Sequence, residues 1–301
     1  MRQEIEKFLH HLQYEKHFSI HTLKNYKIDL LEAVLFFNAQ NIHYWTDVDE
    51  SAIRALLVFR KKQNKSARTL NRQLSTLRSF YRYLIQKGQV QDNIALKVST
   101  LKSSRLLPKA IDADQMTKLL TLPPSSSLAI RDIALLELLY STGLRISELV
   151  SLNLADVDLE QQQVHVIGKG KKARIALIGQ YAYKALKEWL NIRKSFIKQE
   201  ECALFVNKNG KRLSARAIQY RLYTIGIQQG LDSRVHPHRL RHSFASHLLE
   251  SSHDLRSVQE LLGHENLSST QIYTKINFQH LANIYDQCHP RASKQSKENN
   301  E

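Results

Sequence analysis

The chain has 301 residues and a formal net charge of +16, because 44 lysines and arginines oppose 28 acids. This length leaves room for two domains with their own cores, and a chain this basic usually binds a polyanion, the alternative being a charged surface without a partner. The two cysteines, Cys202 and Cys288, are far apart and outside any C-x-x-C pattern, which argues against a disulfide framework or thiolate zinc site and favours a cytoplasmic location.

Neither secretion nor membrane insertion is supported by the apolar segments. The N-terminus has no long apolar run, and the most apolar stretch, LAIRDIALLELLY, is interrupted by Arg131, Asp132 and Glu137.

The first part of the chain has helical periodicity throughout. Apolar residues recur at three- and four-residue spacing in four segments, at 2–16, 22–40, 50–63 and 66–88. Ser66 suits the N-cap of the fourth helix, whose inward stripe is formed by Leu70, Leu74, Leu77, Tyr81 and Leu84. The pattern predicts an all-helical N-terminal domain over residues 1–97.

The fourth helix also carries four arginines outside its apolar stripe, namely Arg68, Arg72, Arg78 and Arg82. Any one of them alone is typical of a solvated surface. Together, in a strongly basic chain, they predict a helix that faces DNA phosphates.

A Ser-rich basic segment at 98–110 predicts an interdomain linker. Beyond it, periodicity predicts helices near 114–121 and 128–140, then at 180–197 and 214–229 and over most of 237–286. Between them, QVHVIGKGKKARIALIG alternates apolar and polar residues about a Gly-Lys-Gly-Lys turn and predicts a β-hairpin. The expected fold is mainly α with a small antiparallel sheet, a second domain over 111–288 and a polar, disordered tail over 289–301.

The segment VHPHRLRHSFASHLL gathers cations where a helix begins. Pro237 suits the first helical position, so backbone N–H groups and cations would face one anion together.

His238 and Arg241 share a helix face. His236 and Arg239 have the same spacing, but His236 precedes the helix, which favours the 238/241 pair. His238 and His242 could bind zinc at i,i+4 spacing, although the Glu of H-E-x-x-H and a third ligand are missing.

Four other residues could contribute chemistry, each with an ordinary structural alternative. Arg145 lies three residues before Glu148, which could orient the guanidinium or form a plain surface ion pair with it. Lys169 lies at the hairpin tip, where a lysine is normally solvated. His264 follows a glycine, and Tyr273 lies nine residues later. A tyrosine needs neighbouring cations to become a nucleophile and is more often a packing residue.

In this order, the segments resemble those of the tyrosine recombinases of the phage integrase family, and among them the XerC branch of the XerC/XerD chromosome-dimer resolvases. The resemblance covers nearly the whole chain and lies in the segments TGLRISELVSL, VIGKGKKAR, HPHRLRHSFASHLLES, LRSVQELLGHENLSSTQIYT and NFQHLANIYDQCHPRA.

The resemblance implies a SAM-like core-binding domain before a catalytic domain, and an ordered catalytic set that falls on Arg145, Lys169, His238, Arg241, His264 and Tyr273, with Tyr273 as the nucleophile. Glu148 would only orient Arg145.

The family needs no cofactor, neither a metal ion nor ATP. The implied partners are a dif-like site in double-stranded DNA, a XerD-type recombinase in a heterotetramer and an FtsK-type translocase. The segment NFQHLANIYDQCHPRA would dock on a neighbouring subunit.

Three other functions are compatible with parts of the pattern. An integrase of a mobile element would use the same chemistry. A DNA-binding regulator would use the same basic helices but has no need of the complete catalytic set. A metal-dependent nuclease would use His238 and His242.

Overall fold

The computed structural model describes residues 1–100, 110–168, 173–197, 200–231, 235–262 and 275–292, with backbone alone at 275–280 and 283. The chain separates into two compact units, Met1–Leu106 and Leu107–Glu301. The described ranges are mainly helical with one small antiparallel sheet, so the predicted fold class is confirmed. None of the helices described is long and apolar enough to cross a membrane.

The first unit contains the four predicted helices, α1 (Arg2–Tyr14), α2 (Ile20–Ala39), α3 (Glu50–Lys62) and α4 (Ala67–Gln86), and a short 3₁₀ turn at Ile94–Leu96. Ser66 caps α4 as predicted, because its hydroxyl accepts the backbone N–H of Thr69. The predicted apolar stripe of α4 is buried in a core that also contains Phe8, Phe37, Trp45 and Phe80. The four arginines of α4 are consequently left on its other faces.

The second unit contains eight further described helices: α5 (Ala113–Leu120), α6 (Ser127–Thr142), α7 (Ile146–Ser151), α8 (Gln180–Arg193), α9 (Ala215–Gln228), α10 (Pro237–Ser252), α11 (Leu255–Leu262) and α12 (Lys275–Cys288). Helix α6 is central and packs against α8 and α10. Its residues 134–142 are all buried, which is the reason that LAIRDIALLELLY is so apolar.

A three-stranded antiparallel sheet in strand order β1-β2-β3 is formed by β1 (Val157–Asp158), β2 (Gln163–Ile167) and β3 (Ala173–Leu177). Strands β2 and β3 are the two arms of the predicted hairpin, and Val166 pairs with Arg174 across them. Residues 169–172, which include all but the first glycine of the Gly-Lys-Gly-Lys turn, lie outside the described residues. Strand β1 was not predicted, because two residues are too short for an alternating pattern.

The start of the expected disordered tail is packed within the second unit. His289 and Ala292 are buried, and the carbonyl oxygen of Ala292 accepts the backbone N–H of Gln180 at 3.0 Å. Arg291 forms an ion pair with the buried Glu137. The boundary expected at 289 is therefore too early, because these tertiary contacts leave no trace in the polar composition of the segment. Residues 293–301 lie outside the described part.

Candidate active site

The site is built around the corner between α6 and α7. Gly143 ends α6 with a φ of 59°, a left-handed conformation that favours glycine. A Cβ at this position would lie 2.7 Å from Cδ1 of Phe244 and 2.9 Å from Cδ2 of Leu262. The absence of a side chain thus lets α10 and the end of α11 approach the corner closely.

Arg145 follows this corner and is held by Glu148. Its Nη1 donates to Oε1 of Glu148 at 2.8 Å, and its backbone N–H donates to Oε2 at 2.8 Å. The Glu148 side chain is 3% exposed and the Arg145 side chain 40% exposed. Because the carboxylate is buried, this pair is not a plain surface ion pair. Glu148 holds one side of the Arg145 guanidinium, and the other side is open to solvent.

Arg241, on α10, reaches the same corner from the other side. Its Nη1 donates to the carbonyl oxygen of Gly143 at 2.6 Å, and its Nη2 donates to that of Leu262 at 2.8 Å. Burial is the main cause that lowers the pKa of Arg241, and the nearby charges of Arg145 and Arg174 lower it further, to about 10. This arginine remains a cation at neutral pH. The structure therefore brings the two arginines of the predicted set together.

The start of α10 separates the two possible histidine registers. Pro237 occupies the first turn, and Nδ1 of His236 accepts the backbone N–H of Arg239 at 3.1 Å as the N-cap. Burial lowers the pKa of His236, and His238 and Arg239 lower it further. His238 is exposed on the first turn. His236 is consequently committed to capping, while His238 is accessible.

Arg174 is a neighbour of this cluster that the sequence interpretation missed. It lies on β3, its side chain is 7% exposed, and its Nη2 donates to Oε2 of Glu148 at 3.0 Å. One signal was available: in the alternation of ARIAL, Arg174 occupies the same face as the buried Ala176, where an apolar residue is expected.

Three members of the predicted set, Lys169, His264 and Tyr273, lie outside the described residues, and only their flanks are placed. Strand β2 ends at Ile167 and β3 begins at Ala173, on either side of Lys169. Helix α11 ends at Leu262, whose carbonyl oxygen is bound by Arg241, and α12 begins at Lys275.

The four arginines of α4 have different surroundings. Arg68 and Arg82 are exposed. Arg72 donates to Oδ2 of the buried Asp29 at 2.6 Å. Arg78 donates to the carbonyl oxygens of Ala95 at 3.0 Å and Val98 at 2.7 Å, so it fixes the segment after α4.

The cluster has the electrostatics of an anion site. The guanidinium groups of Arg145 and Arg174 bind the carboxylate of Glu148, and the charge of Arg241 interacts with all three groups, so these four side chains have a formal charge of 3 − 1 = +2. Guanidinium groups match the oxygens of a phosphate with paired donors and do not lose their charge near neutral pH. The described part of the chain holds no group of three or more His, Cys, Asp or Glu side chains suited to a metal ion.

Comparison with known proteins shows the family of the chain. Residues 109–280 match the model of the phage integrase family, and residues 5–88 match that of the phage integrase N-terminal SAM-like domain. The chain is 48% identical over 295 residues to tyrosine recombinase XerC of Alcanivorax borkumensis, a match that covers 97% of this chain and 95% of the relative. It is 48% identical to tyrosine recombinase XerC of Haemophilus influenzae, with coverage of 98% and 99%.

A solved structure agrees with these matches. XerH site-specific recombinase, bound to a palindromic difH substrate in a post-cleavage complex, has a TM-score of 0.68 and 26% identity, covering 88% of this chain and 79% of the XerH chain. The resemblance noted from the sequence segments is confirmed by a family model over more than half of the chain and by relatives nearly half identical over almost its whole length. The chain belongs to the phage integrase family, among the tyrosine site-specific recombinases.

Proposed function

We propose that this recombinase cuts DNA through a 3′-phosphotyrosyl intermediate with Tyr273 as the nucleophile. The phenolic oxygen attacks the scissile phosphorus in line, the bond to the 5′-oxygen breaks, and the DNA 3′-end stays on the tyrosine. Negative charge builds on the non-bridging oxygens, and Arg145 and Arg241 bind them. The observation that supports this most strongly is the convergence of these two guanidinium groups at the α6/α7 corner.

Proton transfer is assigned to the remaining members of the set. Lys169 protonates the departing 5′-oxygen, and His238 and His264 hydrogen-bond the phosphate, one of them accepting the phenolic proton. The phosphotyrosyl ester retains the phosphodiester energy, so a 5′-hydroxyl from another duplex can attack it and restore the backbone. The two arginines take the charge-stabilising role that metal ions have in a two-metal nuclease, so neither a metal ion nor ATP is required.

The biological role we propose is resolution of chromosome dimers at cell division, in the cytoplasm, at a dif-like site. Support comes from the XerC relatives and from the difH DNA bound by the XerH structure. The proposed assembly is a heterotetramer with a XerD-type recombinase, activated by an FtsK-type translocase. In this single chain, residues 289–292 pack beside α6 and α8 of the same chain. In the tetramer, the corresponding segment of a neighbour would occupy that place.

The test is covalent trapping on a nicked suicide duplex that carries a dif-like site, with and without a XerD-type protein. The wild-type chain should form a denaturation-resistant adduct at the DNA 3′-end, in the presence of a chelator as well as in its absence. Tyr273→Phe should form none, since it lacks the attacking oxygen. An undiminished adduct with Tyr273→Phe, or loss of cleavage in chelator, would refute the mechanism. Recombination only at a mobile-element junction would instead assign the chain to an integrase.

A further inference from the structure

Arg174 occupies a position where the fold would ordinarily place an apolar side chain. It lies on the core-facing side of β3, paired across the sheet with the buried Val166. Removing a guanidinium from water is unfavourable unless an ion pair compensates, and an apolar residue of similar volume often stabilises such a position equally well. Stability alone is therefore a weak reason for an arginine at this point.

One partner of Arg174 is the carboxylate that also orients Arg145. Oε1 of Glu148 accepts from the Arg145 guanidinium, while Oε2 accepts from Arg174 and from the Arg145 backbone N–H. One carboxylate cannot neutralise two guanidinium groups. Arg174 therefore offsets the negative charge of Glu148 beneath Arg145.

Arg241 is also within electrostatic reach of Arg174. After burial, the charges of Arg145 and Arg174 are the main causes that lower the pKa of Arg241. The positive field at this corner is thus produced by all three arginines, although only Arg145 has a substantially exposed guanidinium.

We propose that Arg174 is a positioning residue of the strand-cleavage reaction. It binds the second oxygen of Glu148, so that this carboxylate can orient Arg145 without cancelling the positive charge that Arg145 and Arg241 present to the scissile phosphate. The inference rests on the proposed phosphate-binding role of Arg145 and Arg241.

The experiment compares Arg174→Met, Arg174→Lys and the wild type on three suicide substrates. The first has an ordinary scissile phosphodiester. The second has a methylphosphonate, in which a methyl group replaces one non-bridging oxygen and removes the negative charge. The third has a bridging sulfur in place of the 5′-oxygen, so its leaving group needs no proton. Single-turnover cleavage rates are measured relative to the wild type on each substrate.

On the phosphodiester, Arg174→Met should cleave roughly 10- to 100-fold more slowly than the wild type, the range expected when a phosphate-binding group is displaced. The defect should shrink severalfold on the methylphosphonate, which requires less positive charge, and should persist on the bridging-sulfur substrate. Arg174→Lys keeps the charge but loses the planar fork, so its defect should be smaller and show the same substrate pattern.

Arg131→Met is a matched control for the loss of a buried arginine. Asp132 lies between Arg131 and Arg221, as Glu148 lies between Arg174 and Arg145. This variant loses a comparable ion pair, so any change in rate should be equal on the three substrates. Thermal unfolding of each variant gives the fraction of folded protein, so that cleavage rates can be compared per folded molecule.

Three results would overturn the proposal: an undiminished rate on the phosphodiester, an equal defect on all three substrates, or a defect removed by the bridging sulfur. The last result would assign Arg174 to leaving-group protonation instead. If Arg174→Met fails to fold, the same criteria are applied to Arg174→Lys. Failure of the wild type to form any adduct would contradict the proposed function, whereas a wild-type adduct with an unaffected Arg174 variant contradicts this inference alone.

Discussion

The guanidinium of Arg241 donates a hydrogen bond to the backbone carbonyl oxygen of Gly143 at 2.6 Å and so joins α10 to the end of α6 across 98 residues of sequence. The same side chain binds the last carbonyl oxygen of α11, just before the segment that contains His264 and Tyr273. Arg241 therefore helps to build the corner at which we propose that it binds phosphate. Substitutions at this corner therefore need controls that separate effects on folding from effects on catalysis.

The first prediction concerns Gly143→Ala, with Gly88→Ala as its control. Both glycines have positive φ, but a Cβ at Gly88 meets nothing within 4 Å, whereas one at Gly143 clashes with Phe244 and Leu262. Gly88→Ala should cost about 1–2 kcal/mol for the left-handed backbone, and Gly143→Ala roughly 1–3 kcal/mol more for overpacking. Urea unfolding measures both changes in stability, and equal changes would mean that the corner can relax around the added methyl group.

The second prediction concerns the DNA face of α4. Arg68→Gln combined with Arg82→Gln should weaken binding to a duplex and reduce the salt slope, log Kd against log salt, by about 0.9 for each DNA phosphate that the variant no longer neutralises. Fluorescence anisotropy over a range of salt concentrations measures this slope. Arg78→Gln is the control, because Arg78 is bound to the carbonyl oxygens of Ala95 and Val98. Arg78→Gln should reduce stability and leave the salt slope unchanged. Unchanged stability with a reduced salt slope would show that Arg78 is the residue that binds phosphate.

The third prediction tests Lys169 as the proposed general acid. Lys169→Ala should slow cleavage of an ordinary phosphodiester by roughly 10²- to 10⁴-fold, the usual contribution of acid–base catalysis. A 5′-bridging sulfur leaves without protonation, so it should restore much of the rate for this variant, and a methylphosphonate should not. If neither substrate restores the rate selectively, Lys169 does not protonate the leaving group.

The fourth prediction is a pH dependence of stability that arises from His289. This ring is buried against Tyr140, Tyr285 and Phe244, and burial lowers its pKa to about 3. In the unfolded chain the pKa returns to about 6.5, so the unfolded state binds the additional proton between these values. The contribution of His289 is complete above pH 6.5. It is lost on acidification, at up to about 1.4 kcal/mol per pH unit.

The variant His289→Phe should therefore lose less stability than the wild type between pH 7 and pH 5, because its ring stacks without titrating. Unfolding measured in urea at each pH gives the two slopes. His21→Phe is the control for the exchange of an imidazole for a phenyl ring, since His21 is exposed at the start of α2. Parallel slopes for His289→Phe and the wild type would show that His289 protonates without undocking residues 289–292.

Local pattern was sufficient for most of the fold. The four helices of the first unit, the Ser66 cap, the arms of the β2–β3 hairpin and the start of α10 at Pro237 follow from periodicity and capping chemistry. These features depend on residues within a few positions of one another. The order and spacing of the recombinase segments identified the family for the same reason, since such segments are continuous in sequence.

Contacts between distant segments could not be predicted from local pattern and are seen only in the tertiary structure. The four arginines of α4 are equivalent in sequence, yet Arg72 is paired with Asp29 and Arg78 with backbone carbonyls, while Arg68 and Arg82 are exposed. Likewise, the polar composition of residues 289–292 favours disorder, but Glu137 and the start of α8 provide partners for them.

The sequence by itself determined the helices, the hairpin, the family and the residue types suited to phosphate chemistry, because periodicity, capping and spacing are properties of neighbouring residues. Only the tertiary structure decided that Glu148 is buried between Arg145 and Arg174 and that Arg241 closes the corner at Gly143. The physical reason is that burial, charge and hydrogen bonding depend on which groups share a volume, and packing brings α7, β3 and α10 together from positions far apart in the chain.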